Sequence, residues 1–449
     1  MKSNPLVTVY VTNYNYGKYI SYAINSLLSQ TYKNIEILIF DDGSSDNSRD
    51  IIEKYQNFKN ISSFFHKNQG LIKTNNLAIS KANGKYIMRL DADDWLDNNA
   101  IEIMTNYLER NPELSLVFPD YYIVDGKGVL VNVYRRHDFN KVSLKDQPAH
   151  GACTMFRMSL MKKVGGYNEK FFCQDGVDIW TKVIDNEKVG NINLPLFYYR
   201  KHGSNLTSNE DKIFHTKSKI LKENFQTESS HKTLAVIPIR DHIENLNLNP
   251  LEEINSKKII DWTLESILKS NYIDKIIIVS NNEKLEKFIK KKYDDLVDLI
   301  NRPIKLENLN IPLKETFNYV IEKYESMNIH YKYLFQFTIE SPFRKYYHID
   351  NSILYIEKFL CDIVVPVKYE NDIFYKHDGN TLIPVMKSNY KLLKLEREEL
   401  YREVGGMRLY STKYLSENND NPKIGHILVD DKSAFRIKNS LDLEIANKI

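Results

Sequence analysis

The most informative stretch of the sequence is YIMRLDADDW at residues 86–95. It is typical of a buried strand, and it ends abruptly in three carboxylates, Asp91, Asp93 and Asp94. Such a cluster is unstable unless a cation binds to it, because like charges repel at short range. Mg²⁺ and Mn²⁺ take one or two carboxylates and complete their shells with water and phosphate oxygens. The stretch therefore predicts a divalent-metal site, and the alternative is a solvated acidic turn that caps a helix beginning near Asn98.

Two earlier strands also end in polar loops. Residues 6–11 (LVTVYV) form an apolar run that breaks into residues 12–17 (TNYNYG), after which apolar residues recur at helical spacing. A second run, residues 35–40, ends in the polar residues 41–46 (DDGSSD). Ligands bind at the carboxyl ends of strands in open α/β sheets. The N-terminal half is therefore predicted to be an α/β domain with a ligand site at this edge of its sheet.

A series of short blocks resembles the successive blocks of family 2 glycosyltransferases, in that family's order and spacing, over residues 5 to about 210. The blocks are 11–15 (VTNYN), 41–44 (DDGS), 68–71 (NQGL), 84–87 (GKYI), 90–94 (LDADD), 165–169 (GGYNE), 174–180 (QDGVDIW) and 199–204 (YRKHGS). The combination is specific, although each block alone is weak. The resemblance implies the GT-A nucleotide-diphospho-sugar transferase fold and a nucleotide-sugar donor.

The resemblance also implies roles for the first two loops. The region of Thr12, with Tyr14 and Asn15, would hold the nucleoside, and Asp42 would accept a hydrogen bond from its base. An ionised carboxylate only accepts hydrogen bonds, which suits an imide N–H such as that of uracil. A UDP-sugar is therefore the favoured donor.

At the acidic cluster, the resemblance makes Asp93 the principal ligand of Mn²⁺ or Mg²⁺. Asp91 would face the ribose or the metal, and Asp94 belongs to the same acidic set. The metal would neutralise the nucleoside diphosphate as it leaves.

An inverting sugar transfer also needs a base for the acceptor hydroxyl, and a carboxylate opposite the leaving group supplies one. Asp175 is the expected base and Asp178 the second candidate, although Asp178 is also typical of a helix start. Lys73 is expected to supply the charge of an arginine that relatives often carry at position 75. Arg200 and His202 lie where the family has a loop that closes over the diphosphate, and the alternative is a solvated basic loop.

Length and composition limit the number of domains, the kind of partner and the compartment of the protein. The chain has 449 residues with 42% hydrophobic content, which suffices for two domains. A net charge of +3 gives no argument for nucleic acid as a partner. Three cysteines without metal-ligand spacing suggest a reducing compartment. The sequence shows no apolar run long enough to span a membrane and no signal-peptide pattern, so the protein is predicted to be cytoplasmic. If its acceptor is lipid-linked, the protein is expected to be peripheral at the inner membrane.

Apolar periodicity fades between Asn205 and Thr233, apart from a short helical signal at residues 220–225, and a new α/β pattern then begins. The expected domains are residues 1–225 and 232–449. In the second domain, strands are predicted at residues 234–237, 275–279, 333–337 and 362–367, with helices at residues 259–268 and 283–291. Strands that alternate with helices indicate a mostly parallel sheet.

The second half resembles the cytidylyltransferases that activate sialic acid and related acidic sugars as CMP conjugates. The residues that carry the resemblance are 236–240 (VIPIR), 247–251 (NLNPL), 257–260 (KKII), 276–280 (IIIVS), 341–344 (SPFR), 401–406 (YREVGG) and 440–446 (SLDLEIA). The resemblance implies a second Rossmann-like α/β domain, also of the nucleotide-diphospho-sugar transferase type.

The cytidylyltransferase activity does not follow from that fold. Relatives cradle the triphosphate with a Gly-Gly-Ser-Lys-Gly loop, where this chain has residues 241–245 (DHIEN). Relatives also carry an Asp-Ile-Asp metal pair where this chain has Arg436 and Lys438, and the alternative is that these cations replace the metal's charge. The domain is therefore expected to be catalytically degenerate and to serve in binding, docking or homo-oligomerisation.

The sequence thus predicts a metal-dependent inverting glycosyltransferase that moves a sugar from a nucleoside-diphosphate donor to a glycan or lipid-linked acceptor of the capsule, lipopolysaccharide or glycoprotein type. Loops within residues 120–136 and 150–156 are expected to shape the acceptor site. A bifunctional enzyme that also makes a CMP-activated acidic sugar, and a non-catalytic nucleotide-sugar binding protein, are the alternatives.

Overall fold

The computed structural model describes residues 4–135, 150–203, 210–225, 232–239, 248–307, 311–370, 372–386, 400–417 and 419–449. The described chain forms two compact units, and the boundary between them falls after Ile220, within the helix Glu210–Asn224. No helix in the described residues combines the length and the apolar character needed to cross a membrane.

The N-terminal unit is built on one mixed sheet. Its strands are β1 (Val7–Asn13), β2 (Ile35–Asp41), β3 (Ile61–Phe65), β4 (Tyr86–Asp91), β5 (Trp95–Leu96), β6 (Leu114–Val124), β7 (Leu130–Tyr134), β8 (Met155–Arg157) and β9 (Lys188–Arg200). They lie in the order β3-β2-β1-β4-β8-β6-β9-β5, with β7 paired to β6. The first four strands in this order are parallel to their neighbours, and β8 runs antiparallel to both β4 and β6.

The register of the parallel strands brings their polar ends together. Asn13 at the end of β1 is level with Asp41 of β2, and Thr12 is level with Asp91 of β4. Because the carboxyl ends of parallel strands meet at one edge, the loops that follow β1, β2 and β4 converge there, as the sequence predicts.

Helices cover this sheet. They are α1 (Ile20–Leu28), α2 (Ser48–Glu53), α3 (Leu71–Lys81), α4 (Ala100–Arg110), α5 (Met158–Lys163) and α6 (Asp175–Val183), followed by α7 (Glu210–Asn224) at the unit boundary. The predicted helical spacing after β1 is confirmed, because α1 buries Ile20, Ala23, Ile24 and Leu27 on one face. The short helical signal predicted near residue 220 is the end of the much longer α7.

The C-terminal unit has a second mixed sheet. Its strands are β10 (Thr233–Pro238), β11 (Glu253–Ile254), β12 (Lys257–Lys258), β13 (Lys275–Val279), β14 (Val297–Ile300), β15 (Tyr333–Phe337), β16 (Ile363–Glu370), β17 (Tyr375–His377), β18 (Leu382–Pro384), β19 (Leu400–Glu403), β20 (Met407–Ser411) and β21 (Ile424–Leu428). The main sheet has the order β14-β13-β10-β15-β20-β16-β19, with β21 beside β16, while β11–β12 and β17–β18 are separate hairpins.

The helices of this unit are α8 (Ile259–Leu268), α9 (Glu283–Tyr293), α10 (Leu313–Glu325), α11 (Tyr346–Phe359), α12 (Thr412–Ser416) and α13 (Ser440–Ala446), with a 3-10 turn at Ile304–Leu306. The predicted bounds of α8, β13 and β15 match the structure. The sheet is parallel from β14 to β15, as predicted, but β20 runs antiparallel to β15, so the mostly parallel description holds for one half of the sheet.

Candidate active site

A cavity of about 760 Å³ lies in the N-terminal unit at the carboxyl ends of β1, β2 and β4. Seven of the residues predicted from the sequence line it, namely Thr12, Tyr14, Asn15, Asp42, Asp91, Asp93 and Asp175. The structure therefore brings together side chains that are separated by more than 160 positions in the chain. A volume of this size accommodates a small-molecule ligand.

The floor of the cavity is held by hydrogen bonds between strand ends. Thr12 Oγ1 donates to Asp91 Oδ1 at 3.1 Å, across the β1–β4 pair. Asn13 Nδ2 donates to Asp41 Oδ1 at 2.7 Å, across the β1–β2 pair. Asn15 Oδ1 accepts the backbone N–H of Ser45 at 2.7 Å. These contacts fix the first loop against the second.

Asp42 anchors the loop that precedes α3. Its carboxylate accepts the backbone N–H groups of Gln69 at 2.8 Å and Gly70 at 2.9 Å. Oδ1 also lies 3.3 Å from Nδ1 of His66, whereas Oδ2 has a second lone pair that can accept from a ligand. Asp42 is thus a cavity-lining acceptor that also has a structural role.

Asp93 lies in the cavity wall beside His202. Nε2 of His202 is 2.9 Å from Oδ2 of Asp93, and the imidazole packs against the rings of Tyr16 and Tyr19. Burial, followed by repulsion from the nearby Asp91 carboxylate, raises the pKa of Asp93 to about 6. A cation bound here would relieve that repulsion.

Arg200 and Asp94 are not among the residues that line the cavity. The guanidinium of Arg200 lies 4.6 Å from the ring centre of Tyr19 and 4.7 Å from that of Trp95, and its Nε donates to the carbonyl of Asp93 at 2.9 Å. Asp94 is fully buried and accepts the backbone N–H of Arg200 at 2.8 Å. The structure places both side chains behind the acidic loop, where they support it.

Asp175 begins α6 and points into the cavity, where it pairs with Arg89 of β4. Burial raises the pKa of Asp175, and the Arg89 guanidinium opposes that rise. Arg89 also contacts Asp91, with 2.9 Å between Nε and Oδ1. A Cβ atom on Gly151 would lie 2.7 Å from Asp175 Oδ2, so only glycine leaves room for this arrangement.

Two further predicted residues lie apart from the cavity. Asp178 is buried in the first turn of α6, where it accepts from Lys182 Nζ and from the backbone N–H of Asn168, both at 2.9 Å. Lys73 is exposed on α3 and is not among the lining residues. Asp178 therefore occupies the helix-start position that its alternative interpretation gave it. The side chain of Lys73 adds no charge to the cavity wall.

The fit of a divalent metal follows from the chemistry of these ligands. No group of three or more His, Cys, Asp or Glu side chains in the described residues is arranged to hold a metal ion by itself. Mg²⁺ and Mn²⁺ do not require such a cage, since one or two carboxylates suffice when a diphosphate supplies further oxygens. Asp91 and Asp93, both in the cavity wall and mutually repulsive, fit that requirement.

Several lining residues were missed from the sequence. Arg89 is an arginine inside an apolar strand, a pattern that signals a paired buried charge. Lys212 and Ile213 of α7 complete the wall, and Lys212 Nζ lies 5.9 Å from the ring centre of the exposed Phe172. Of the expected acceptor loops, His150 and Gly151 line the cavity, whereas residues 120–135 are not among the lining residues and Arg136 lies outside the described residues.

In the C-terminal unit, only some of the residues that were compared with the cytidylyltransferase motifs lie in the described part of the chain. Residues 241–245 lie outside the described residues. A Cβ on Gly405 would lie 3.7 Å from Nη1 of Arg436, and the backbone N–H of Lys438 donates to Asp442 at 2.8 Å. Arg436 and Lys438 therefore lie in the described part of this unit, and neither side chain can ligate a metal ion.

Comparison with known proteins gives a match for each half of the chain. The pattern of glycosyl transferase family 2 matches residues 8–165, and the cytidylyltransferase pattern matches residues 234–402. Both resemblances predicted from the sequence, and the two α/β domains that they imply, are confirmed by these matches.

Individual relatives match part of the chain. Chondroitin synthase of Escherichia coli is 27% identical over 264 residues, which are 58% of this chain and 37% of the synthase. The E. coli UDP-Glc:alpha-D-GlcNAc-diphosphoundecaprenol beta-1,3-glucosyltransferase WfaP is 30% identical over 220 residues, 48% of this chain and 86% of that enzyme. The chain thus spans little more than a third of the length of the chondroitin synthase.

A solved structure, that of S. aureus TarS 1–349 in complex with UDP-GlcNAc, aligns with 49% of this chain and 67% of its own, at 20% identity and a TM-score of 0.42.

Proposed function

Because this chain belongs to glycosyl transferase family 2, we propose that its N-terminal unit is a metal-dependent inverting glycosyltransferase that uses a nucleoside-diphosphate sugar. The observation that carries the proposal is the cavity at the strand ends, whose wall contains Asp42, Asp91, Asp93 and Asp175. The acceptor is a surface glycan of the capsule, lipopolysaccharide or glycoprotein type, in free or lipid-linked form.

The donor's nucleoside is assigned to the loops after β1 and β2. Asp42 keeps acceptor capacity for an imide N–H, and the half-exposed ring of Tyr14 at the cavity supplies a surface for a base. A UDP-sugar is favoured because the WfaP relative is named for a UDP-Glc donor.

Asp93 and Asp91 are assigned to hold Mn²⁺ or Mg²⁺ with the donor diphosphate. When bound, the metal supplies positive charge that stabilises the departing nucleoside diphosphate. The chain's own contribution is to hold two carboxylates at the end of β4, with His202 fixing one of them and Thr12 the other.

Asp175 is assigned as the base. Its carboxylate takes the proton of the acceptor hydroxyl as the acceptor oxygen bonds to the anomeric carbon and the bond from that carbon to the diphosphate oxygen breaks. The placement of Asp175 in the cavity, and of Asp178 outside its lining, supports this choice between the two predicted carboxylates.

The test is a donor screen on the full chain. UDP-, GDP-, dTDP- and CMP-sugars are incubated with Mn²⁺ or Mg²⁺, and release of the free nucleotide is measured with and without mixed glycan acceptors. We expect one UDP-sugar to be turned over. No release from any donor, despite a folded protein, would overturn the proposal and favour a non-catalytic binding protein.

For the C-terminal unit we infer a non-catalytic role in binding, docking or homo-oligomerisation. The support is the pair Arg436 and Lys438, since neither side chain can ligate a metal that carries a triphosphate. Function resides in sites and not in folds, so a match to the cytidylyltransferase pattern alone does not supply the activity.

A further inference from the structure

A buried arginine joins the donor side of the cavity to its acceptor side. Arg89 is 4% exposed and comes from within β4, two positions before Asp91. Its Nε lies 2.9 Å from Asp91 Oδ1, its Nη2 lies 3.3 Å from Asp91 Oδ2, and its Nη1 donates to Asp175 Oδ2. One planar guanidinium therefore contacts the carboxylate assigned to the metal and the carboxylate assigned as the base.

We propose that Arg89 is a positioning residue for sugar transfer, which fixes the carboxylate of Asp175 relative to the donor through this double ion pair. The inference rests on the proposed role of Asp175 as the base. Arg89 itself contacts neither substrate in this account. It acts through Asp175, which must face the anomeric carbon across a distance set by the bound donor.

The geometry of guanidinium makes it suited to this role. Its donors are held in a rigid plane, so two carboxylates bound to different edges take a fixed separation and orientation. Asp91 and Asp175 repel each other, and burial adds to the cost of their charges. Without a cation between them, these carboxylates would turn apart and Asp175 would lose its direction.

The surrounding residues are shaped around the same pair. A Cβ on Gly151 would lie 2.7 Å from Asp175 Oδ2 and 2.9 Å from Arg89 Nη2, distances that force side chains to move. The buried side chains of Tyr10 and Tyr167 lie near both Arg89 and Asp175. The ion pair is therefore buried among other side chains and not on the surface.

The experiment is a double-mutant cycle with the full chain and the donor that the screen identifies. Arg89→Met, Asp175→Asn and the double variant are compared for kcat and for the acceptor KM, with circular dichroism as the check of folding. The double variant removes the charges of Arg89 and Asp175 together, so only the more exposed Asp91 carboxylate loses its cationic partner, which limits the risk of unfolding that Arg89→Met carries. Arg89→Lys serves as the conservative variant.

If Arg89 acts through Asp175, Arg89→Met lowers kcat by about 10- to 100-fold in the wild-type background but by less than about 2-fold when Asp175 is already Asn. Arg89→Lys recovers part of the loss, because a cation remains without the planar fork. Gly151→Ala, which keeps both charges but crowds them, lowers kcat while UDP affinity in the presence of Mn²⁺ stays unchanged.

Multiplicative losses in the double variant would overturn the inference, since Arg89 would then act independently of the base. A loss of UDP affinity in Arg89→Met as large as its loss of kcat would also overturn it, by placing the effect on the donor side. If Asp175→Asn alone is silent, the assigned base is wrong and the inference falls with it. These results separate a failure of the proposed base from a failure of the role of Arg89.

Discussion

Oδ2 of Asp93 lies 2.9 Å from Nε2 of His202, and this contact fixes the carboxylate on which the proposed metal site depends. The imidazole also contacts the rings of Tyr16 and Tyr19. The acidic loop after β4 therefore has a support built from residues far away in the chain. Asp93 lies in the cavity wall, although burial and the nearby Asp91 carboxylate disfavour its charge.

That disfavoured charge predicts a pH-dependent stability. Burial and Asp91 raise the pKa of Asp93 to about 6, above its value in the unfolded chain, so the folded state binds the proton more tightly. The free energy of unfolding is therefore greatest when Asp93 is protonated, and it falls as pH rises toward and through 6. In metal-free protein, Asp93→Asn should therefore raise Tm relative to wild type at pH 7.5, with a difference that shrinks below pH 5.

Thermal melts monitored by circular dichroism from pH 4.5 to 8 make this measurement. The matched control is addition of Mn²⁺ with UDP, which should stabilise wild type and have little effect on the variant, since ligands stabilise only the state that binds them. A Tm difference that is independent of pH would contradict the account of Asp93.

The two carboxylates of α6 should respond differently to the same substitution. Asp175→Asn keeps the shape of the side chain but removes the proton acceptor, so turnover should fall by about 10²-fold or more with little change in donor binding. Asp178→Asn should instead reduce Tm, because it weakens the contact with Lys182 Nζ in the first turns of the helix. If Asp178→Asn abolishes turnover in a stable protein while Asp175→Asn is nearly silent, Asp178 is the base.

The full chain should not make CMP-sugars. With CTP, Mg²⁺ and sialic, pseudaminic-type or Kdo-type sugars, pyrophosphate release should stay at background, because Arg436 and Lys438 cannot ligate the metal that a triphosphate requires. An authentic CMP-sialic acid synthetase assayed in parallel gives the positive control. Sugar-dependent pyrophosphate release by this chain would show that it is bifunctional.

Much of the N-terminal site could be predicted because its residues follow strand ends. Thr12, Asp42 and Asp91 come directly after apolar runs, and parallel strands deliver their carboxyl ends to one edge whatever the details of packing. Asp175 was found through the resemblance of its block. The signal in both cases is local in the sequence, which is why it survives without a structure.

The rest of the site depends on contacts between distant segments. Nothing local to Arg89 shows that it meets Asp175, 86 positions away, and nothing local to Arg200 shows that its guanidinium packs among aromatic rings. Lys73 was expected to supply charge because of its place near position 75, but the turn of α3 carries it to the exposed face. Helical phase and strand pairing decide which way such side chains face, and the periodicity of the sequence alone does not place element boundaries closely enough to predict this.

One assay tests directly whether Asp93 and a divalent metal are needed for sugar transfer. Release of the nucleoside diphosphate from the identified donor is measured with acceptor in excess EDTA, after adding back Mn²⁺ or Mg²⁺, and with Asp93→Ala under the same conditions. We predict no turnover in EDTA, recovery with either metal, and none at any metal concentration for a folded Asp93→Ala. Full activity in excess EDTA, or in Asp93→Ala, would contradict the account.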